Sequence, residues 1–430
     1  MFCRDGAGPC NVATPACGPA GGRQDVNLSH AVLSAPLLNP VFANRPTTIF
    51  AVMSALARRH GAVNLGQGFP DEDGPPGLVE AAVRALRSGQ NQYAPVQGVP
   101  ELRRAVAASN RRFYDLDIDW ETETLITAGA TAALGAAFLA FLKPGDEAIL
   151  LAPCYDSYAP IVEAAGATPR FVQLQPPAWR MDQAALEAAI TPRTRVIAIN
   201  SPHNPTGRAL SHEELQAVAD IAVRRDLLVI CDEVYEHLIF DGRPHIPLMT
   251  LPGMRERCVR IGSAGKTFSM TGWRIGYATG CERLITGMMK AHQFIVYTCP
   301  PHLQLAVAEG LAFGDEYYSS FISTMQMKRD HFVAGLTDLG FDVLPCEGTY
   351  FATVDIRSVG GKDDDDFCRD LTENAGVAAI PVSAFYPPSD PNTPRNYARF
   401  CFCKKIDVLD EALRRLRSHF KSAPPARDAQ

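Results

Sequence analysis

Five short segments of this chain hold side chains suited to act together on one small molecule. The run Ser263-Ala264-Gly265-Lys266-Thr267 follows the apolar stretch 259–261, so Lys266 falls at a strand end among small residues. An amine placed there can enter a cavity and form a Schiff base with an aldehyde. Arg274 follows in Thr271-Gly272-Trp273-Arg274. Ser263 and Arg274 can both reach a phosphate, the guanidinium with two hydrogen bonds at once. The second segment is Cys231-Asp232-Glu233-Val234-Tyr235, after the apolar 227–230. A carboxylate at the end of a buried strand is costly unless paired. A protonated ring nitrogen would pair it, in a charge-assisted hydrogen bond contributing about 1.5–3 kcal/mol. Tyr235 can donate to a phenolic oxygen of the same ring. In the third segment, Asn200-Ser201-Pro202-His203-Asn204-Pro205-Thr206-Gly207, two X-Pro pairs impose a rigid extended turn that presents Asn204 as a donor. The fourth, Thr127-Ala128-Gly129-Ala130-Thr131, runs into the Ala-rich 132–142 and offers an anion the free N–H groups of a helix start at Ala130 and Thr131. Nearby Tyr155 can stack on a heteroaromatic ring. The fifth, Asn396-Tyr397-Ala398-Arg399-Phe400, sets Arg399 between aromatics, ready for a carboxylate. Each segment alone also reads as a turn, a cap or a structural ion pair; their combination argues for a site.

The elements around these segments are consistent with that. Apolar runs at 124–127, 147–152, 195–200, 227–231 and 259–261 alternate with helical patterns such as 211–225, which opens with the capping sequence Ser211-His212-Glu213-Glu214. Such alternation predicts an α/β domain around a mostly parallel sheet, with ligands bound at the carboxyl ends of its strands. The reactive residues do follow the apolar runs. Helical periodicity continues through 300–311 and 317–339. A hairpin-like region at 341–355, a helix at 364–375 and a strand at 397–403 then predict a second, smaller α+β domain. On that last strand Cys401 and Cys403 share one face and Phe400 and Phe402 the other, which reads as packing. The expected division is a flexible tail 1–28, a segment 29–60 joining the small domain, a large domain 61–300, a small domain 301–420 and a frayed end 421–430.

Composition narrows the function. The chain has 430 residues, 47% hydrophobic and 20% charged, with net charge −6, so neither a nucleic-acid surface nor a membrane-attracting one is implied. The twelve cysteines, three of them Cys3, Cys10 and Cys17, form neither a zinc pattern nor a disulfide framework. No metal is expected, and a reducing, cytoplasmic compartment is. The start, MFCRDGAGPC, lacks the apolar core of a secretory signal, and no apolar run approaches the ~20 residues of a membrane span. The run 363–366 of four aspartates reads as a solvated helix start or loop.

The ordered set resembles the class I/II aminotransferases of fold type I, in particular the kynurenine/glutamine and methionine aminotransferase branch. The likeness spans about residues 37–420. It is carried by Val63-Asn64-Leu65-Gly66-Gln67-Gly68-Phe69-Pro70-Asp71, by Asn91-Gln92-Tyr93-Ala94-Pro95 with Gly98-Val99-Pro100, and by Glu347-Gly348-Thr349-Tyr350-Phe351. Ala379-Ile380-Pro381-Val382-Ser383 and the segments around Lys266 and Arg274 add to it. The resemblance implies a seven-stranded, mostly parallel sheet between helices, a small domain built from both ends of the chain, and pyridoxal 5'-phosphate as cofactor. It assigns Lys266 to the covalent link and the Cα proton transfer, and Asp232 to the pyridine nitrogen. It gives Asn204 and Tyr235 to the phenolic oxygen, Tyr155 to the ring face, and Ala130, Thr131, Ser263 and Arg274 to the phosphate. In the homodimers of this branch, Tyr93 reaches that phosphate from the partner subunit. Arg399, with Asn204 and Gly68, would hold the substrate carboxylate, and Tyr297 would face its side chain. The implied reaction moves an amino group from an L-amino acid (methionine, glutamine, aromatic or kynurenine-like) to a 2-oxo acid. The alternative is β/γ-elimination, replacement or cyclisation on the same scaffold, which shares the Cα deprotonation.

Overall fold

The computed structural model describes residues 38–43, 45–89, 91–388 and 390–422. The expectations for 1–28, 29–37 and 423–430, and for Cys3, Cys10 and Cys17, lie outside these residues. The chain divides into two units. Of Met1–Ala43, the described part is a single helical turn, Pro40–Ala43. Everything below belongs to Asn44–Gln430.

Seven strands form the main sheet in the order Thr124–Thr127, Gly276–Gly280, Cys258–Ser263, Leu228–Asp232, Thr194–Asn200, Glu147–Ala152, Thr168–Gln173. Gly276–Gly280 is antiparallel to both neighbours, and the other pairs are parallel. Inner strands of a mostly parallel sheet are covered on both faces, so they read as unbroken apolar runs. Glu147–Ala152 and Cys258–Ser263 are buried at every position. The two strands without such a run went unpredicted. Thr168–Gln173 lies at the sheet edge, half-exposed, where Pro169 and Arg170 are tolerated. Gly276–Gly280 begins and ends with glycine; a Cβ at Gly276 would strike the backbone of Gly129 and Ala130.

Helices cover the sheet. Ala130–Phe141 is apolar nearly all round and packs against Glu282–Ile295. His212–Arg225 starts at Ser211 with both bonds of a capping box. A second, four-stranded antiparallel sheet orders Ile380–Pro381, Tyr397–Cys401, Phe351–Asp355 and Asp342–Val343. The hairpin-like region is thus Asp342–Val343 paired with Phe351–Asp355, and the strand predicted to reach 403 ends at Cys401. The predicted helix at 364–375 is α-helical over Asp364–Asp370 and widens to a π-turn over Leu371–Ala375. Asp363 of the aspartate run caps it, accepting from the N–H groups of Asp365 and Asp366. Early residues share this part of the core. Val63–Asn64 pairs with Val377–Ala378, and Met53 of helix Ile49–His60 is buried with Phe332, Phe400 and Leu416.

Candidate active site

The strand register fixes the centre. Asn200 lies beside Asp232, and Asp232 beside Ile261, at the carboxyl ends of three adjacent strands. A cleft of ≈ 390 Å³ opens there, lined by Lys266, Asp232, Tyr235, Asn204, Tyr155, Ala130, Thr131, Ser263, Arg274, Arg399 and Gly68. All the expected site residues except Tyr93 and Tyr297 are therefore in one cavity. Those two stack edge-to-face, 5.1 Å between centroids, away from the cleft of their own chain. Tyr297 follows helix Glu282–Ile295 with φ 72°, a turn that carries it outward, and Tyr93 is 82% exposed.

The cleft has a cationic end and an acidic end. Gly129, at φ 77°, precedes the helix Ala130–Phe141, and a Cβ there would collide with the Arg274 guanidinium. The helix N–H groups and the guanidinium thus meet with only glycine between them, a cradle for a dianionic phosphate. At the other end Asp232 accepts from the Tyr158 hydroxyl at 2.5 Å and from the Val234 N–H at 3.4 Å. Burial pushes its carboxyl from 3.8 up to about 6, against the Tyr158 hydrogen bond and the Lys266 charge, which pull it down. A buried acid that is costly to ionise alone suits a protonated ring nitrogen.

Lys266 stands between the two ends. Burial lowers its amine from 10.5 to about 8, with Arg274 adding repulsion and Asp232, Cys401 and Cys403 opposing the shift. An appreciable fraction is therefore the nucleophilic free base near neutral pH. Arg399 is fully buried. Its Nη1 donates to Asn204 Oδ1 at 2.6 Å and its Nη2 to the Gly66 carbonyl at 2.8 Å, while Nε has no partner in the chain. Phe351 lies 3.9 Å beneath the guanidinium. Burial lowers this guanidinium to about 10, so it stays charged and aimed at the cleft. With its oxygen occupied by Arg399, Asn204 has its amide N–H groups left to donate. The residues present fit pyridoxal phosphate: a phosphate cradle, a reactive amine, and an acid lacking a cation.

A family model described as aminotransferase class I and II matches residues 61–416. The chain belongs to that family. This aminotransferase is 50% identical over 378 residues to a probable N-succinyldiaminopimelate aminotransferase of Mycobacterium tuberculosis, covering 86% of this chain and 95% of that protein. It is 42% identical over 371 residues to a methionine aminotransferase of Escherichia coli, covering 86% and 95%. The solved structure of the N-succinyldiaminopimelate aminotransferase from Mycobacterium tuberculosis superposes with TM-score 0.86 and 49% identity, covering 89% of this chain and 99% of that one. The aminotransferase is accordingly a pyridoxal-phosphate-dependent transferase that takes amino-acid and 2-oxo-acid substrates.

Several residues that line the cleft or stand behind its lining are not singled out by the sequence. Tyr158, the donor to Asp232, belongs to the segment that holds Tyr155. Tyr350 receives a hydrogen bond from Lys266 Nζ at 2.6 Å. Phe50, Leu134, Val234 and Phe351 supply apolar lining. Tyrosines and phenylalanines in such numbers read as core, and only the fold separates those facing the cleft. Among the described residues no group of three or more His, Cys, Asp or Glu is placed to hold a metal, and no helix is long and apolar enough to cross a membrane.

Proposed function

We propose that this aminotransferase acts on L-amino acids with uncharged side chains, of the methionine, glutamine, aromatic or kynurenine kind, with a 2-oxo acid as acceptor. The observation that carries this reading is the cation inventory of the cleft. Lys266, Arg274 and Arg399 are its only lysine or arginine linings among the described residues, and each has a task. Arg274 faces the phosphate end, Arg399 takes the α-carboxylate, and Lys266 holds the cofactor. None remains for a distal carboxylate, while Phe50, Leu134 and Phe351 offer apolar contact to a side chain.

Bound pyridoxal phosphate supplies an electron sink for the Cα–H bond. In this reading the protein's own groups do the rest. Asp232 keeps the ring nitrogen protonated, Asn204 and Tyr235 donate to the phenolic oxygen, and Tyr155 covers the ring face. Ala130, Thr131, Ser263 and Arg274 hold the phosphate. Lys266 would hold the cofactor's aldehyde carbon and, as the free amine, would take up and return the substrate's Cα proton. The family supports amino transfer over elimination, replacement or cyclisation.

The active unit in this reading is a cytoplasmic homodimer, with a large domain 61–300 and a small domain 301–420. Tyr93, Phe294, Ile295 and Tyr297 form exposed aromatic and aliphatic surface, and a partner subunit would place Tyr93 at the phosphate and Tyr297 near the substrate side chain. The relative from Mycobacterium tuberculosis favours a second reading, an acyl-diaminopimelate donor, whose distal carboxylates would need a cation from the partner. A donor screen with pyruvate, a 2-oxo acid that has no distal carboxylate, separates the readings. Methionine, glutamine or phenylalanine should outperform N-succinyldiaminopimelate in kcat/KM by at least about tenfold, roughly the worth of one unpaired buried charge contact. The reverse order defeats the proposal.

A further inference from the structure

We propose that Tyr350 is the positioning residue for Lys266, its hydroxyl parking the free amine at the cleft wall and tying the reach of that amine to the Gly68 loop. The inference rests on the assignment of Lys266 as the base that moves the Cα proton. Each catalytic cycle frees a buried ammonium or amine on a flexible four-carbon stem, which needs both a partner and a fixed direction. Lys266 Nζ donates to Tyr350 Oη at 2.6 Å, and Tyr350 Oη donates its own proton to the Gly68 carbonyl at 2.8 Å. Because that proton is committed to Gly68, the hydroxyl shows Lys266 a lone pair. Hydrogen bonding therefore orders three elements: the lysine turn, the Thr349–Tyr350 turn and the Gly68 loop.

The hydroxyl is itself held rigidly. Tyr350 is 1% exposed, and its carbonyl accepts from the Phe402 N–H at 3.0 Å. Its ring meets Tyr235 edge-on at 5.3 Å and Phe351 at 4.9 Å. A Cβ at Gly68 would strike the Phe351 and Tyr350 rings, so only glycine brings that carbonyl within reach. Thr349 stands at φ 66°, unfavourable for a β-branched residue, and is held there by its N–H on the Leu238 carbonyl at 2.8 Å. Strain accepted next to a reactive group implies that the direction of the following side chain matters. The ionisable groups around the amine are Asp232, Arg274, Cys401 and Cys403, with Tyr235 beside Tyr350.

Tyr350→Phe tests this, since it keeps the ring and removes the oxygen. In the cofactor-loaded enzyme kcat should fall roughly tenfold with KM nearly unchanged, and the isotope effect from Cα-deuterated donor should rise, because proton transfer alone is slowed. The second readout is independent of turnover: the pH dependence of Lys266 acylation in cofactor-free protein. The wild-type midpoint should lie near the amine's value of about 8. Without the oxygen the ammonium loses an acceptor, so the midpoint should move acid-ward by about one pH unit, a tenfold change in the acidity constant. A purely structural tyrosine would not move it. Site-specific 3-fluorotyrosine at 350, which folds with hydroxyl and ring intact but is a weaker acceptor, should shift the midpoint the same way by less. In a Lys266→Ala background, Tyr350→Phe should cause no further loss. Wild-type midpoint and isotope effect in Tyr350→Phe, or no shift with fluorotyrosine, overturn the inference alone. Full turnover by Lys266→Ala overturns the proposed function as well.

Discussion

Asp232→Asn separates stability from function in a way that burial dictates. In the cofactor-free protein the carboxyl is 5% exposed and burial raises it from 3.8 to about 6. A pKa raised by folding means that the folded state holds the proton more tightly than the unfolded chain. The associated stability is complete below pH 3.8 and disappears as the pH rises through 6, leaving a penalty above. A shift of about two units corresponds to a penalty of roughly 3 kcal/mol once the acid is ionised. At about pH 4.5 the same relation gives roughly 1 kcal/mol, so the difference to pH 8 is roughly 2 kcal/mol. The substituted amide would carry no charge and would still accept from the Tyr158 hydroxyl, which donates to the present carboxylate at 2.5 Å.

Urea unfolding of both cofactor-free proteins at about pH 4.5 and about pH 8 measures this, because other titrating groups cancel in the difference between them. Relative to wild type, Asp232→Asn should gain roughly 2 kcal/mol on going from the acid to the basic condition. Turnover with cofactor should fall at least about hundredfold, since the neutral amide cannot keep the ring nitrogen protonated. The stabilisation conferred by added cofactor should shrink in parallel. A stability difference independent of pH would refute the account of Asp232 as a desolvated acid awaiting a cation.

Two further substitutions examine the ends of the cleft. Arg399→Ala removes the buried guanidinium that faces the cleft with an unpaired Nε, and KM for α-amino acids should rise about tenfold to a hundredfold; steady-state kinetics with an unchanged KM would remove Arg399 from the carboxylate site. Gly129→Ala puts a Cβ at φ 77° against the Arg274 guanidinium. It should weaken cofactor binding about tenfold or more, measured by titrating the visible band; unaltered affinity would show that the phosphate lies elsewhere.

How much of this was legible follows from where each constraint is written. Lys266, Asp232, Asn204 and the Gly129 turn follow or lie between apolar runs, so the rule that α/β sites gather at carboxyl ends places them. The strand Gly276–Gly280 was missed because its glycines serve neighbours and not the strand itself: Gly276 gives room to the backbone of Gly129 and Ala130, and Gly280 to Val259 and Cys258. Tyr158 and Tyr350 escaped for a related reason. Each acts on a residue far along the chain, Asp232 and Lys266 respectively, and an aromatic in a buried run looks like packing until the fold shows which atom its hydroxyl meets. Tyr297 was expected to face the substrate side chain, and the structure places it outside the cleft of its own chain.

The cleft divides by structural origin as well as by chemistry. Asp232, Ser263 and the Gly129–Ala130 turn belong to the main sheet and its first loops, so the cofactor end is built on a scaffold buried on both faces. Arg399 comes from the small sheet, paired with Thr353 and Ile380, and the Gly66–Gly68 loop from the early segment. The bonds that join these to each other and to the main sheet include Arg399 to Asn204 and Gly66, Lys404 to the Phe69 carbonyl and Asp71, the Cys401 N–H to the Leu65 carbonyl and the Thr353 hydroxyl to the Pro205 carbonyl. Breaking the Lys404 bonds would loosen the loop that carries the Gly68 carbonyl while leaving the phosphate cradle intact. Damage in the small sheet should therefore appear first in KM for amino acids, and damage in the main sheet first in cofactor retention. Tyr350 crosses this division, since its hydroxyl joins Lys266 to Gly68, and it is the position where loss of a single oxygen should slow proton transfer more than it weakens either kind of binding.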